Sequence, residues 1–308
     1  MRAKYLDPFT DFGFKRIFGQ EASKPLLRDF LNALLPPTAQ IQTLTFKNNE
    51  QAGVGAGERK AIFDIYCENE HGEKFIVELQ KAKQNHFKDR TVFYSTFPIR
   101  EQAEAGTWDF ALKAVYCVGI LDFVFNDPPT AGMGEVLHEV KLKNQHGAVF
   151  YNKLTYYYLE MPNFRKSEAE LTTRLDQWLY FLKHLEELQA IPQLFGDAVF
   201  TQAFEAAALG QMSFAEMDQY EGSLKRYRDE INTTQYAIEQ GLAQGREQGI
   251  AQGREQGIAQ GREEGREEGL KAGILQVAQA LKAAGMPLES IAAATGLTAV
   301  EVAALPPA

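Results

Sequence analysis

The 308-residue sequence has only two cysteines, Cys67 and Cys117, and neither stands in a CxxC pair or another metal-ligand spacing. The scarcity of cysteine argues against a disulfide framework, and the five histidines show no paired zinc spacing. The chain also lacks an apolar run near the roughly 18 residues of a membrane span. Its first residues lack the apolar core of a secretory signal. We therefore expect a cytoplasmic protein with no membrane partner.

Excess positive charge is absent as well. The chain carries 32 Lys and Arg against 41 Asp and Glu, for a net charge of −9, whereas proteins that bind nucleic acid usually present a basic surface. Any surface that contacts phosphates must therefore be local. A glycine-rich phosphate loop is also missing, because the GxxxG repeats lack the strand and the lysine that such loops require.

Hydrophobic spacing places helices and strands along the first 235 residues. Helices are predicted over 12–18, 23–34, 85–105, 176–188 and 198–205, with Asp11 and Ser23 as the capping residues of the first two. Strands are predicted over 40–46, 61–67, 74–80, 115–123, 138–142 and 154–160. Helices around a mixed sheet indicate the α/β class, with α+β as the alternative.

The sequence changes character after residue 235. Glycine occupies every fourth position from Gly241 to Gly273, which is typical of a solvated tether or of a helix whose glycine stripe packs against another helix. Residues 274–308 predict a small helical segment that resembles a helix-turn-helix in the placing of Ala292, Gly296 and Val302. We therefore divide the chain into 1–235, 236–273 and 274–308. The last segment offers no basic residue for DNA in AVEVAAL, so a small helical cap or a self-association module is the favoured interpretation.

Two runs carry the candidate chemistry: AIFDIYC at 61–67 and KFIVELQ at 74–80, separated by the polar turn ENEHGE. Both alternate, which predicts a β-hairpin. Side chains two apart on a strand share a face, so one face carries Ile62, Asp64, Tyr66, Ile76, Glu78 and Gln80. The other face is wholly apolar and should lie on the core: it carries Phe63, Ile65, Cys67, Phe75, Val77 and Leu79.

If Cys67 pairs with Phe75, Asp64 lies directly across from Glu78, with Cβ atoms about 5 Å apart. Two carboxylates this close repel each other, so the arrangement needs a cation or a function. Magnesium meets that need, because it prefers oxygen ligands and is often held by one or two carboxylates. Gln80 follows on the same face, where its amide can orient a water or a phosphate oxygen. The alternative is that these carboxylates only line the wet face of the hairpin.

The D-turn-ExQ hairpin resembles the PD-(D/E)xK nuclease motif, with glutamine in the lysine position. The wider sequence resembles the Rpn family of recombination-promoting nucleases and transposase-like proteins. The segments that carry this resemblance follow in order: DPFTDFGFKRIFG, LLRDFLNALLP, FDIYCENEHGEKFIVELQKAKQNHFKDRTVFYSTF, GILDF, LTYYYLEMPNF, LDQWLYFLKHL, the glycine repeat and SIAAATGLTAVEV.

The resemblance implies a restriction-endonuclease-like mixed sheet flanked by helices, DNA cleavage that depends on Mg²⁺ or Mn²⁺, and a role in DNA recombination. It assigns Asp64 and Glu78 as metal ligands and Gln80 as the residue that replaces the lysine. A neutral amide stabilises phosphate charge less than an ammonium does. We therefore expect Lys83 or Arg90 to supply a cation, and we expect Lys81 on the opposite face of the strand.

Phosphate contacts are expected just after the hairpin, from Lys81, Lys83, Lys88 and Arg90, with Tyr94 one helical turn beyond Arg90. The alternative is a solvated helix face with one packed tyrosine. Asp11 and Lys15 also stand one turn apart, and Asp11 has the alternative role of an accessory acid that reaches the metal.

Two functions fit these observations. The first is a metal-dependent DNA endonuclease that works as a homo-oligomer joined through its C-terminal region, because one such site cuts one strand. The alternative is a catalytically weak or inactive nuclease-fold protein that binds DNA or assembles. Glutamine in place of the lysine and the acidic net charge favour the alternative.

Overall fold

The computed structural model describes residues 3–51, 60–82, 86–103, 106, 108–125 and 134–306. Its strands are β1 (Leu44–Phe46), β2 (Glu50–Gln51), β3 (Ala61–Ile62), β4 (Ile65–Asn69), β5 (Lys74–Gln80), β6 (Val115–Leu121), β7 (Leu137–Lys143) and β8 (Val149–Glu160). Its helices are α1 (Asp11–Phe18), α2 (Lys24–Leu34), α3 (Phe87–Arg100), α4 (Arg174–His184), α5 (Ala198–Ala207), α6 (Phe214–Ala283), α7 (Leu288–Thr295) and α8 (Ala299–Ala304).

Within the described residues, six strands form one mixed sheet in the order β1-β4-β5-β6-β8-β7. β4 and β5 pair antiparallel, β5, β6 and β8 run parallel to one another, and β7 returns antiparallel along β8. The central strand β6 reads VYCVGIL and is buried throughout, as expected for a parallel strand covered on both faces. This is a restriction-endonuclease-like α/β fold, as the sequence predicted.

The central strands of the sheet are buried on both faces, whereas the edge strand β7 is largely exposed. One face packs under α1, α2, α4 and α5, and its core includes Phe18, Phe30 and Trp178. The other face packs under α3, with Tyr66 and Ile76 among its buried residues. The alternative of a wet hairpin face therefore does not hold for Glu78, which lies in the interior.

The predicted strand 61–67 is interrupted. Ala61 and Ile62 pair with β2 in a separate two-stranded sheet, and pairing with β5 begins only at Ile65. Because residues 63 and 64 lie outside a strand, the alternation of faces is broken between them. Phe63 accordingly packs in the core under α3 and not beside Ile65 as predicted. The break leaves Asp64 in a bend.

The opening helix is capped by Thr10 and not by the predicted Asp11. The Thr10 hydroxyl accepts a hydrogen bond from the backbone N–H of Gly13 and donates one to the backbone oxygen of Asp7. Asp11 is instead the first helical residue. Ser23 precedes α2 as predicted, but its hydroxyl makes no capping bond and donates to the backbone oxygen of Arg16.

Gly13 is required by this tight turn, and replacing it with alanine should destabilise the protein. A Cβ there would lie 2.3 Å from the Asp7 oxygen and 2.7 Å from the Thr10 hydroxyl. Such overpacking costs roughly 1–3 kcal/mol in free energy of unfolding, measurable by urea denaturation. Gly210→Ala is the control, since a Cβ there meets no atom of the described residues within 4 Å. Equal stability of the two variants would contradict the prediction.

Helix α6 runs through the whole glycine repeat. Of the two interpretations of the repeat, the structure therefore has the helical one. The chain divides into two compact units, Met1–Thr234 and Gln235–Ala308. In the second unit, Ala278, Ile291 and Val302 form a small core where α7 and α8 meet the end of α6. The functional division into three segments stays a prediction. No described helix is both long and apolar enough to span a bilayer.

Candidate active site

Asp64 and Glu78 lie side by side at the end of the hairpin. The register Cys67 to Phe75 is present, and the last paired residues are Ile65 and Val77, one step before the two carboxylates. The Asp64 Oδ2 atom accepts a hydrogen bond from the Leu79 backbone N–H at 2.8 Å. The Asp64 backbone N–H donates to Oε1 of Glu78 at 3.2 Å. Reciprocal bonds from side chain to backbone thus hold the pair together in place of strand pairing.

Burial makes both carboxylates hard to ionise. Desolvation raises the pKa of Asp64, against a lowering effect of its bond from Leu79 and of the charges of Lys15 and Lys81. Desolvation also raises the pKa of Glu78, and the neighbouring Asp64 carboxylate raises it further. Only 8% of Glu78 is exposed, so solvent does little to relieve this repulsion. The pair is a site that a cation would stabilise.

Gln80 links this pair to a cation on α3. Its Nε2 donates to Oε2 of Glu78 at 3.2 Å, and its Oε1 accepts a hydrogen bond from the guanidinium of Arg90. The guanidinium lies over the rings of Phe87 and Tyr94, 5.4 and 5.7 Å from their centroids. Arg90 also lowers the pKa of Glu78. Both ends of the Gln80 amide are therefore engaged in holding the carboxylate.

A cavity of about 200 Å³ opens beside Asp64. Its lining brings together residues from five parts of the first unit: Asp11 and Phe14 of α1, Asp64, the segment Leu79–Gln80–Lys81, Arg90 of α3, and Glu230 of α6. Acidic and basic side chains face each other across a small space. Such a space can hold a phosphate group between a carboxylate-bound cation and the positive side chains.

Asp11 and Lys15 form an exposed salt bridge of 2.9 Å, one turn apart on α1. Asp11 also lines the cavity that contains Asp64. Its carboxylate raises the pKa of Asp64, whereas Lys15 lowers it. Asp11 thus has a position from which an accessory acid can act, although it does not cap the helix as predicted.

Lys81 lines the same cavity as Gln80, and so does Leu79 of the opposite face. The Lys81 ammonium lies 5.8 Å from the ring centroid of Tyr227 on α6. Tyr227 packs on the core cluster that contains Leu79, so Lys81 lies on the side of the sheet that the alternation predicted. Its charge lowers the pKa of the Asp64 carboxylate.

Arg90 lines the cavity as well, whereas two other predicted phosphate-binding residues, Lys88 and Tyr94, lie outside its lining. The Lys88 ammonium packs 4.6 Å from the ring centroid of Phe125. Tyr94 packs edge-to-face on Phe63 at 5.5 Å, so it belongs to the core under α3. Neither is part of the cavity lining around Asp64. Lys83, predicted as a catalytic cation, lies outside the described residues.

A family model described as PD-(D/E)XK nuclease family transposase matches residues 8–237, about three quarters of the chain. The chain belongs to this family. The match covers the hairpin, the cavity and the helices around them, and it confirms the resemblance drawn from the sequence motifs. No curated protein and no solved structure gave a significant match.

PD-(D/E)XK nucleases generally use divalent metals. Among the described residues, no group of three or more His, Cys, Asp or Glu side chains is arranged to hold a metal ion. Magnesium nevertheless needs only one or two carboxylates, with waters and substrate phosphate as further ligands. Asp64 and Glu78 fit that requirement, because they are adjacent, Glu78 is buried and Asp64 is half-buried, and the charge of Asp64 raises the pKa of Glu78.

Three residues at or near the cavity escaped the sequence analysis: Asp122, Tyr227 and Glu230. Asp122 directly follows β6, and its backbone N–H donates to the backbone oxygen of Gln80 at 2.9 Å. Tyr227 and Glu230 are three apart on α6, a spacing that puts them on one helix face. That spacing was the available signal, but it says nothing about which other element the face meets.

Proposed function

We propose that this PD-(D/E)XK family member is a metal-dependent DNA endonuclease that hydrolyses phosphodiester bonds in DNA recombination. The observation that supports this most is the pair of buried Glu78 and half-buried Asp64, tied through Gln80 to Arg90 at the edge of a cavity. A pair of like charges withdrawn from water is costly to fold. Its presence beside a phosphate-sized space is explained by a cation and an anionic substrate.

In this proposal Asp64 and Glu78 hold Mg²⁺ or Mn²⁺, which neutralises phosphate charge and makes a bound water more acidic. Gln80 fixes the Glu78 carboxylate by its hydrogen bond, and Arg90 fixes Gln80. Asp11 accepts protons or orients water from the α1 side of the cavity. Neither Lys88 nor Tyr94 lines the cavity, so in this proposal both contact DNA outside it.

Plasmid cleavage tests the proposal. Purified protein should nick supercoiled DNA with Mg²⁺ and not with EDTA. Asp64→Ala should lower the rate on the order of 10³-fold, because the metal loses a ligand and the transition-state charge loses its stabilisation. Circular dichroism checks that the variant is folded. Equal cleavage by the variant would remove Asp64 from the site.

A second candidate function is a nuclease-fold protein that binds DNA or assembles with little chemistry. Two observations favour it: Gln80 stands in the lysine position, and the acid Glu230 lines the cavity that would receive a phosphate. Calorimetry separates the two functions. A nuclease site binds Mg²⁺ or Mn²⁺, and Glu78→Ala abolishes that binding. A degenerate site shows no such Glu78-dependent binding.

We further propose that the glycine-repeat part of α6 joins two copies of the chain. Nine glycines from Gly241 to Gly273 lie inside the helix, at a cost of roughly 1 kcal/mol each against alanine. An isolated helix of this composition is poorly stabilised by its own propensity. Ile250 and Ile258 are 62% and 47% exposed on one groove of the helix, beside Ala251 and Ala259. Packing against a second copy would bury these side chains.

Charges placed in this groove should separate the copies. We expect the double variant Ile250→Glu, Ile258→Glu to halve the mass measured by light scattering. The matched control, Gln248→Glu with Gln256→Glu, adds the same charges two residues away, outside the groove lining, and should keep the assembly. A chain truncated after Glu239 should also dissociate while it retains metal binding. Truncated protein of unchanged oligomeric state would show that the repeat is only a spacer.

A further inference from the structure

Lys81 and Tyr227 belong to a closed ring of contacts at the end of β5. The Lys81 ammonium lies over the Tyr227 ring. The Tyr227 hydroxyl donates to Oδ2 of Asp122 at 2.7 Å, and the Asp122 backbone N–H donates to the backbone oxygen of Gln80 at 2.9 Å. Gln80 directly precedes Lys81 in the sequence, so the contacts form a ring. We propose that Lys81 is the cation that contacts the scissile phosphate, and that Tyr227 of α6 positions it.

This inference rests on the proposed nuclease function and concerns the charge that Gln80 does not supply. The Gln80 amide is engaged at both ends, by Glu78 and by Arg90. The Arg90 guanidinium in turn is committed to Gln80 and to two aromatic rings. Arg90 also lines the cavity, but its hydrogen bond to Gln80 supports the Glu78 carboxylate and its ring contacts hold it against α3.

Lys81 has the properties that this cation needs. Its ammonium makes no hydrogen bond and no salt bridge with any residue that the structure describes. It lines the cavity beside Asp64. Its attraction to the ring face of Tyr227 restrains it without neutralising its charge, which is the advantage of a cation–π contact over an ion pair. An ammonium held in this way can respond to charge that develops on a phosphate.

Tyr227 is suited to hold the lysine because it stays a neutral donor. Burial and the adjacent carboxylate of Asp122 raise the pKa of its hydroxyl far above the usual range. The proton thus remains on the tyrosine and continues to bind Asp122. The hydrogen bond fixes the ring plane against which the Lys81 side chain lies.

The chemical step is ordinary phosphodiester hydrolysis. The oxygen of a water molecule forms a bond to phosphorus, and the bond from phosphorus to the 3′ oxygen breaks. The attacking water loses a proton to solvent and the leaving 3′ oxygen takes one from solvent, so the products are a 3′ hydroxyl and a 5′ phosphate. Negative charge increases on the non-bridging oxygens in the transition state, and there the ammonium of Lys81 is worth most.

The test uses the full-length protein and a duplex oligonucleotide at saturating Mg²⁺. We expect Lys81→Met to lower kcat by about 10- to 100-fold, with KM changed by less than about threefold. Lys81→Arg should recover part of the rate. Tyr227→Leu should approach the effect of Lys81→Met, whereas Tyr227→Phe, which keeps the ring and loses the bond to Asp122, should cost less. Tyr236→Leu, on an exposed ring of the same helix, should have no effect.

A double variant and a binding measurement decide between outcomes. Lys81→Met with Tyr227→Leu should be no slower than Lys81→Met alone, because Tyr227 acts through the lysine. Mg²⁺ binding by calorimetry should be unchanged in Lys81→Met. A wild-type rate in Lys81→Met, beside a loss of cleavage in Asp64→Ala, would overturn this inference and leave the nuclease function standing. Cleavage that is indifferent to Asp64 would instead overturn the nuclease function. Additive losses in the double variant would overturn the role of Tyr227.

Discussion

Replacing Glu78 by glutamine should abolish metal-dependent cleavage and should also stabilise the metal-free protein above neutral pH. Glutamine keeps the shape of the side chain and a hydrogen-bonding oxygen, but it removes the charge that binds the metal. The loss of cleavage should reach the order of 10³-fold, like that of Asp64→Ala. The gain in stability follows from the pKa of Glu78, which burial and the Asp64 carboxylate raise from 4.5 to about 8.

The sign follows from proton binding. Between the two pKa values the folded state of the wild type holds a proton on Glu78 that the unfolded state has lost, so folding stability falls as pH rises. This contribution is fully present below pH 4.5 and is lost as pH passes about 8. Above that pH, Glu78→Gln should exceed the wild type by on the order of 2–4 kcal/mol, or several degrees in Tm.

Thermal denaturation in EDTA at a series of pH values measures this effect. The two curves should agree near pH 4 and separate towards pH 9. Added Mg²⁺ should raise the Tm of the wild type and leave the variant unchanged. Glu68→Gln on β4 is the control of opposite sign. Burial raises the pKa of Glu68, but Lys74 and Lys47 outweigh it and lower the pKa overall. Removing the Glu68 charge should therefore destabilise the folded protein at neutral pH. A variant that is less stable than the wild type at pH 9 would contradict the prediction.

The hairpin shows how far the sequence carries. Alternation in 74–80 and the polar turn predicted β5 and a hairpin, and the register considered for it, Cys67 with Phe75, is the one in the structure. The break before Ile65 escaped, since it arises from the pairing of Ala61 and Ile62 with a distant strand, β2. A local pattern does not reveal that a strand changes partner.

The packing of α3 over the sheet face that carries Glu78 was not predicted, for a related reason. Helix α3 was predicted with slightly wider bounds, but the sheet face on which it packs depends on tertiary contacts. Thr91 and Ser95 of α3 bond the hydroxyls of Tyr158 and Tyr156 at 2.6 and 2.8 Å. Polar residues on a helix normally indicate its solvent side. Here they anchor the helix to tyrosines of β8, and this inverts the expected pattern.

The helical repeat was difficult to foresee from propensity alone. A glycine at every fourth position lowers the helix propensity at each repeat. The sequence does not show which surface would pack on the helix and stabilise it. Tyr227 and Glu230 lie on the same helix before the repeat begins, some 150 residues after Glu78. Glu230 lines the cavity, and Tyr227 contacts the lining residue Lys81. Such long-range placement follows from the packing of α6 on the core through Tyr220.

Arg90→Met should slow cleavage by about 10²-fold or more, because Arg90 supports the metal-binding carboxylate through Gln80. Without the guanidinium, the pKa of Glu78 rises further, since Arg90 lowers it in the wild type. Metal binding at neutral pH should weaken accordingly. Arg100→Met is the matched control: Arg100 ends the same helix and packs over Phe97 at 5.0 Å, outside the cavity lining.

A double-mutant cycle shows whether Arg90 acts through Gln80. If it does, Gln80→Ala should already lose most of what Arg90 provides, and Arg90→Met should add little to it. The interaction energy from rates and from Mg²⁺ affinity should then approach the effect of Arg90→Met alone. Full additivity would mean that the guanidinium contacts the phosphate directly. Arg90 would then share the role assigned to Lys81, and Arg90→Met would change kcat without changing the affinity for the metal.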